Sequence, residues 1–313
     1  VQALRIYTTT TLTAEESHQL GLREVARIQA QQDALTRKLG FTEGSLVARV
    51  SAATAVPALP DSPDPRQVIL DAYLKIIRDA EKRSEALFNL RPRAPIEVRR
   101  VPAMKEATSS AYYTAPAADG SQPGVFWAPL RGPKFFAASR SLAYHEGVPG
   151  HHFQIAIMQE LPDLPKFRRE RIFSGGSAHV EGWALYTERL AIEEGWYKDD
   201  PRGELVALGS LLFRARRLVV DTGLHAKQWT RQQAIDYGIG AQEVERYVVW
   251  PGQACSYMVG MLRIVELREK AKAELGAKFS LPAFHDVVLK TASVPLDVLG
   301  EVIDGWIAER KKG

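Results

Sequence analysis

The sequence predicts a mostly α-helical α+β fold with one small antiparallel sheet, and three observations carry that expectation. Apolar residues recur every three or four positions over long stretches near the start of the chain. Three short β-branched or aromatic segments, punctuated by proline and glycine, cluster between residues 95 and 130. Helical periodicity then resumes at residue 139 and runs to residue 313. With 313 residues, 45% of them hydrophobic, the chain has ample material for a core. Disorder, collagen-like repeats and a disulfide-stapled miniprotein are excluded on composition. The expectation is one domain over residues 1–313.

The elements follow in order. TLTAEESHQLGLREVARIQAQQDALTRKLG opens with a capping box at Thr13 and Glu16 and closes at Gly40, which predicts a helix over 13–40. DSPDPRQVILDAYLKIIRDAEKRSEALF predicts a second helix over 66–88, with Pro65 near its start and an apolar stripe through Ile69, Ala72, Ile76 and Ile77. The Pro- and Ala-rich stretch Ala52 to Pro65 between them reads as a surface connection. PIEVRRVP, SAYYTAP and GVFWAPL predict the three strands of the sheet, 95–130. Phe126 and Trp127 are expected on an edge strand, along which an extended peptide would add. A helical region over 139–313 follows, and it holds the chemically dense segments.

Charge and cysteine content narrow the function classes. The excess of 41 Lys+Arg over 37 Asp+Glu is only +4, and the two signs alternate along helix faces. The locally basic RPRAPIEVRR and KFRRERIF lack an accompanying nucleic-acid module, so nucleic acid is not an expected partner. Cys255 is the one cysteine, so no internal disulfide can form, and no CxxC or other thiolate zinc spacing exists. No run of 18 apolar residues suggests a transmembrane helix.

Three of the seven histidines fall within eight residues, in His145-Glu146-Gly147-Val148-Pro149-Gly150-His151-His152. A His-Glu pair with a further His shortly after is how zinc hydrolases bring imidazoles and a carboxylate to one ion. In the usual spacing the second histidine follows at i+4 on the same helix face; here that position is Pro149. Proline lacks the amide proton and its ring opposes the carbonyl of His145, so a bulge is expected, with Gly147 and Gly150 tolerating the unusual backbone. A bulge that absorbs two residues makes His151 the second ligand; without one, His152 takes that place. Glu181, on a helix whose inward face is otherwise apolar, is the expected third ligand, because an unpaired acid there is costly. Glu188, two turns on, is a candidate to hold a ligand histidine.

HEGVPGHHFQ, VEGWALYTERLA, RARRLVVDTGLHAKQWTRQQAIDY and RYVVWPGQACSYMVGMLRIVELREKA, in this order, resemble the bacterial family called domain of unknown function 885, grouped with the gluzincin-type zinc metallopeptidases. The resemblance spans the whole chain and implies a zincin- or gluzincin-like helical metallopeptidase domain binding one Zn²⁺. Its HExxPGH pattern favours His151 over His152 as a ligand beside His145 and Glu181. It also implies Glu146 as general base, with His225 and Tyr257 as donors to the oxyanion. Members are about twice this length, so an N-terminal half of the protein is an expected partner, and many carry secretion or lipoprotein signals, which implies a periplasmic, secreted or lipoprotein location, with the cytoplasm as the alternative. The expected activity is zinc-dependent hydrolysis of peptides, with an amidase on a small non-peptide substrate or a silent scaffold as the alternatives. More ordinary roles compete for some residues: Tyr257 as core, His225 as a helix C-terminal cap, Arg217 and Asp221 as an intrahelical pair, and His18, His179 and His285 as structural or surface residues.

Overall fold

The computed structural model describes residues 2–55, 60–131, 137–170 and 176–312; the connection expected over 52–65 and the basic segment 166–173 lie partly outside them. The first helices are α1 (Gln2–Thr8), α2 (Ala14–Lys38), α3 (Leu46–Ala53) and α4 (Pro65–Arg83). Strand β1 (Ile96–Arg100), α5 (Ala103–Glu106), β2 (Tyr112–Thr114) and β3 (Gly124–Ala128) follow. The remaining helices are α6 (Arg140–Glu146), α7 (His151–Glu160), α8 (Lys166–Arg169), α9 (Ser177–Glu193), α10 (Pro201–Ala226), α11 (Arg231–Asp236), α12 (Ala241–Val249), α13 (Ser256–Leu275), α14 (Leu281–Thr291) and α15 (Leu296–Lys312). The chain divides into two compact units, one built from Val1–Ala53, Phe173–Lys278 and Ser293–Gly313, the other from Thr54–Ile172 and Phe279–Ala292.

In the first unit, α2 begins as expected: the Thr13 hydroxyl accepts from the Glu16 amide and the Glu16 carboxylate accepts from the Thr13 amide, a reciprocal cap. The helix ends where Gly40 takes φ +87°, a left-handed conformation that glycine adopts without penalty. Helix α2 packs along α10, and Gly21 allows the approach, since a Cβ there would stand 2.8 Å from both Leu218 Cβ and Val219 Cγ2. Helices α9 and α13 cross still more closely: a Cβ on Gly182 would stand 2.5 Å from Gly260 Cα, and one on Gly260 only 1.8 Å from the Ala178 carbonyl oxygen. Around that crossing Trp183, Leu185, Met258, Met261 and Ile264 are fully buried, each worth about 1.5–3 kcal/mol of hydrophobic stabilisation. His18 and His179 are buried here; His18 Nδ1 lies 2.8 Å from Thr222 Oγ1.

The second unit holds the sheet. Its order is β1-β3-β2, with β1 parallel to β3 (Ile96 opposite Gly124) and β2 antiparallel to β3 (Tyr113 opposite Phe126). The sheet is therefore mixed, which corrects the antiparallel expectation. The same finding places Phe126 and Trp127 on the central strand and not on an edge, so neither is available for a peptide to pair beside. The reason lies in burial: every residue of β3 except Trp127 is buried, whereas β1 carries exposed Glu97, Arg99 and Arg100. The most apolar strand takes the doubly bonded place and the charged strand guards an edge. Helix α4 lies against β1 and α6, and Tyr73 meets Phe126 edge-on at 5.0 Å. His285 is fully buried, stacked on Phe88 at 4.4 Å, and its Nδ1 donates to the Leu87 carbonyl at 2.8 Å. His18, His179 and His285 are thus interior residues of the fold.

Candidate metal centre

Helix α6 starts where the Ser139 hydroxyl accepts from the Leu142 amide and ends at Glu146; α7 starts at His151. Residues 147–150 form a turn with a cis Val148–Pro149 peptide. The expected bulge is thus a complete break between two helices, because Pro149 can neither donate nor fit inside a regular turn. Gly150 is required by close approach: a Cβ there would stand 2.0 Å from the His145 carbonyl oxygen and 2.2 Å from that of Tyr144. The break folds α7 back so that the rings of His145 and His151 meet edge-to-face, centroids 4.8 Å apart at 82°. Both rings are buried, as is the Glu146 carboxyl.

His145, His151 and Glu181 each offer one ligand atom, and these atoms all lie within 4.8 Å of one another. The expected trio is therefore brought together, and it is His151 that joins His145 and Glu181, not His152. His152 faces elsewhere: its Nδ1 lies 2.9 Å from the Tyr113 hydroxyl and its Nε2 3.1 Å from the Ala94 carbonyl. Burial pushes the His152 pKa down to about 4, against a smaller upward contribution from the Ala94 bond. Beside the turn, a cavity of about 320 Å³ is lined by Arg78, Lys82, Arg91, Val148, His152 and Phe153.

Within the first unit, Glu181 and Tyr257 sit on α9 and α13, next to the Gly182 and Gly260 contact that lets those helices close on each other. Burial raises the Tyr257 pKa, the negative charge of Glu181 raises it further, and Arg217 and Arg246 oppose both. Glu188 is fully buried; it accepts from the Ser210 hydroxyl at 2.6 Å and lies 3.8 Å from Arg214. His225 is exposed at the end of α10, and its Nε2 donates to the Tyr247 carbonyl at 3.0 Å; it lies outside the His145, His151 and Glu181 group.

Arg217 and Asp221 do not form the expected intrahelical pair. Arg217 is buried and turns to α12, donating to Glu243 at 2.8 Å and to the Tyr247 hydroxyl at 3.0 Å. Asp221 accepts from the Gly252 amide with both oxygens, at 2.9 and 3.1 Å, and burial pushes its carboxyl up to about 6. Both side chains satisfy neighbours across the core because a buried charge gains more from a fixed partner than from a solvated pair on its own helix. The Arg217 guanidinium also lies over the Tyr257 ring, 4.7 Å from its centroid. Neither this contact nor the Tyr113–His152 bond was legible in the sequence, because both join residues far apart in the chain.

A family model described as "Bacterial protein of unknown function (DUF885)" matches residues 1–303. Among solved structures, "the putative lipoprotein from Colwellia psychrerythraea" superposes with a TM-score of 0.91 at 40% identity, over 98% of this chain and 55% of that one. A second, "a putative lipoprotein of unknown function from Shewanella oneidensis", gives a TM-score of 0.79 at 25% identity, over 96% of this chain and 58% of that one. The chain thus spans little more than half the length of either. No curated protein matches.

Proposed function

The chain belongs to the bacterial DUF885 family, and we propose that it is a zinc-dependent hydrolase of peptide bonds with a zincin-like, more narrowly gluzincin-like, helical catalytic domain. The observation that carries this reading is the approach of two buried imidazoles and one carboxylate, His145, His151 and Glu181, to within 4.8 Å of one another. Tetrahedral zinc with ligand bonds of about 2.0–2.2 Å separates its ligand atoms by roughly 3.3–3.6 Å, so small side-chain rotations bring these three onto one ion. Three protein ligands leave a fourth position for water or substrate, the composition of a catalytic site. Zinc so held supplies Lewis acidity to a scissile carbonyl and to water.

The other residues supply the proton transfers. Glu146 follows His145 directly and is only 6% exposed. In that role it takes a proton from the attacking water and returns it to the leaving amine. Tyr257 is the donor to the developing oxyanion: burial and the Glu181 charge both keep its phenol protonated at neutral pH. His225, whose Nε2 proton is committed to the Tyr247 carbonyl, receives no step. The two solved neighbours are described as lipoproteins, and the proposal includes a periplasmic or lipid-anchored location; no helix of the described residues is long and apolar enough to cross a membrane.

Replacing Glu146 by Gln tests the reading. The variant is expected to retain zinc and to lose at least about 100-fold in the hydrolysis of a mixed peptide library followed by mass spectrometry, the usual worth of a general base. Undiminished turnover would reject the assigned base.

A further inference from the structure

We infer that His152 is a positioning residue: pinned by Tyr113 and the Ala94 carbonyl, it fixes the rotation of α7 so that its neighbour His151 faces His145. The inference rests on the reading of His145 and His151 as zinc ligands. It explains how a chain carrying two adjacent histidines presents one and withholds the other.

A carbonyl oxygen can only accept, so the His152 nitrogen 3.1 Å from Ala94, Nε2, carries the ring proton. The bare Nδ1 then accepts from the Tyr113 hydroxyl at 2.9 Å. The ring is held as a single neutral tautomer, with one nitrogen protonated and the lone pair of the other engaged. No lone pair is left for an ion, and His152 is removed as a competitor for it.

The same two bonds orient the helix. His151 and His152 are the first two residues of α7, and consecutive helical residues point about 100° apart. Holding His152 against the sheet therefore turns His151 toward His145, where their ring centroids stand 4.8 Å apart. His152 is 1% exposed, and the Tyr113 ring meets it at 5.6 Å and 69°. Gly124 of β3 makes room for the bond: a Cβ there would stand 2.5 Å from the Tyr113 oxygen and 2.6 Å from His152 Nδ1. The three residues come from α7, β2 and β3, so the pin ties the candidate ligand helix to two strands.

Titration with Zn²⁺ and with Co²⁺, whose visible spectrum reports ligand geometry, tests the pin in the full chain carrying H152F, H152Q or Y113F. H152F removes both bonds and Y113F only the hydroxyl; each is expected to weaken zinc binding, H152F by about 10–100-fold, the usual cost of losing an outer partner at a metal site. Both are expected to alter the Co²⁺ spectrum. H152Q, whose amide donates to Ala94 and accepts from Tyr113, is expected to restore affinity and spectrum close to wild type. A merely structural role would lower the melting temperature and leave the Co²⁺ spectrum of the folded chain unchanged. Wild-type affinity and spectrum in H152F would overturn this inference alone. A wild-type chain that binds neither ion would overturn the metal-site reading and the inference with it.

Discussion

The two halves of the candidate site chemistry are assembled by opposite means. His145 and His151 are six residues apart, and one glycine-proline turn brings their rings together within a single stretch of chain. Glu181 and Tyr257 are 76 residues apart, and they approach because Gly182 and Gly260, close by in sequence, let α9 and α13 cross without side chains between them. The first arrangement depends on local backbone geometry, the second on helix packing at distances only glycine permits. Damage to the turn should therefore act on metal binding, and damage to the crossing on stability.

The largest expected effects come from adding a methyl group at each place. Gly150→Ala forces a Cβ against the His145 and Tyr144 carbonyl oxygens, at 2.0 and 2.2 Å. It is expected to abolish zinc binding in a titration while circular dichroism still shows a helical chain. Gly260→Ala forces a Cβ to 1.8 Å from the Ala178 oxygen. It is expected to cost about 3 kcal/mol or more, the upper end for overpacking, and to lower the melting temperature by roughly 6–12 °C. A Gly150→Ala chain that binds zinc normally would break the comparison, as would a Gly260→Ala chain that melts with the wild type.

A pH experiment sharpens the same contrast on the packing side. Burial raises the folded-state pKa of Asp221 from 3.8 to about 6, so the folded chain holds this proton more tightly than the unfolded chain does. The stability contributed by neutral Asp221 is present below about pH 4 and is lost as pH rises through about 6, amounting to at most about 3 kcal/mol. Asp221→Asn keeps an oxygen to accept from Gly252 and removes the titration. The difference in unfolding free energy between wild type and variant should therefore change between pH 4 and 6 and level off above; a difference flat across that window would contradict the burial account. A smaller effect is expected from Arg217→Lys, which keeps the charge and loses the fixed fork that joins Glu243 and Tyr247. A loss of about 1–2 kcal/mol in chemical denaturation is expected, from the hydrogen bonds forfeited, with zinc affinity unchanged.

What the sequence made legible follows the same division between local and distant contacts. The capping box at Thr13 and Glu16, the helix end at Gly40 and the interruption at Pro149 are local features, and each is realised where the sequence places it. The grouping of His145 and Glu181 with a second histidine was readable from residue type and pattern, while the choice of His151 over His152 came from the family resemblance and not from spacing, since Pro149 left both open. The direction of β3 was not readable, since an apolar five-residue strand has the same pattern whichever way its neighbours run. Nor were the partners of Arg217: periodicity shows that the residue lies on a buried face and says nothing about which helix lies opposite. The short α3 also escaped notice; its Arg49 is buried against α2, donating to Asp33, a contact invisible in an eight-residue segment read alone.

The central claim is most directly tested by the zinc content of chain purified without an affinity tag, measured by plasma mass spectrometry after dialysis. About one zinc per chain is expected, lost on replacing His145 or His151 by Ala, together with a higher melting temperature for the loaded form, since a ligand that binds only the folded state stabilises it. Less than about half an equivalent, with no gain in melting temperature when zinc is added, would contradict it.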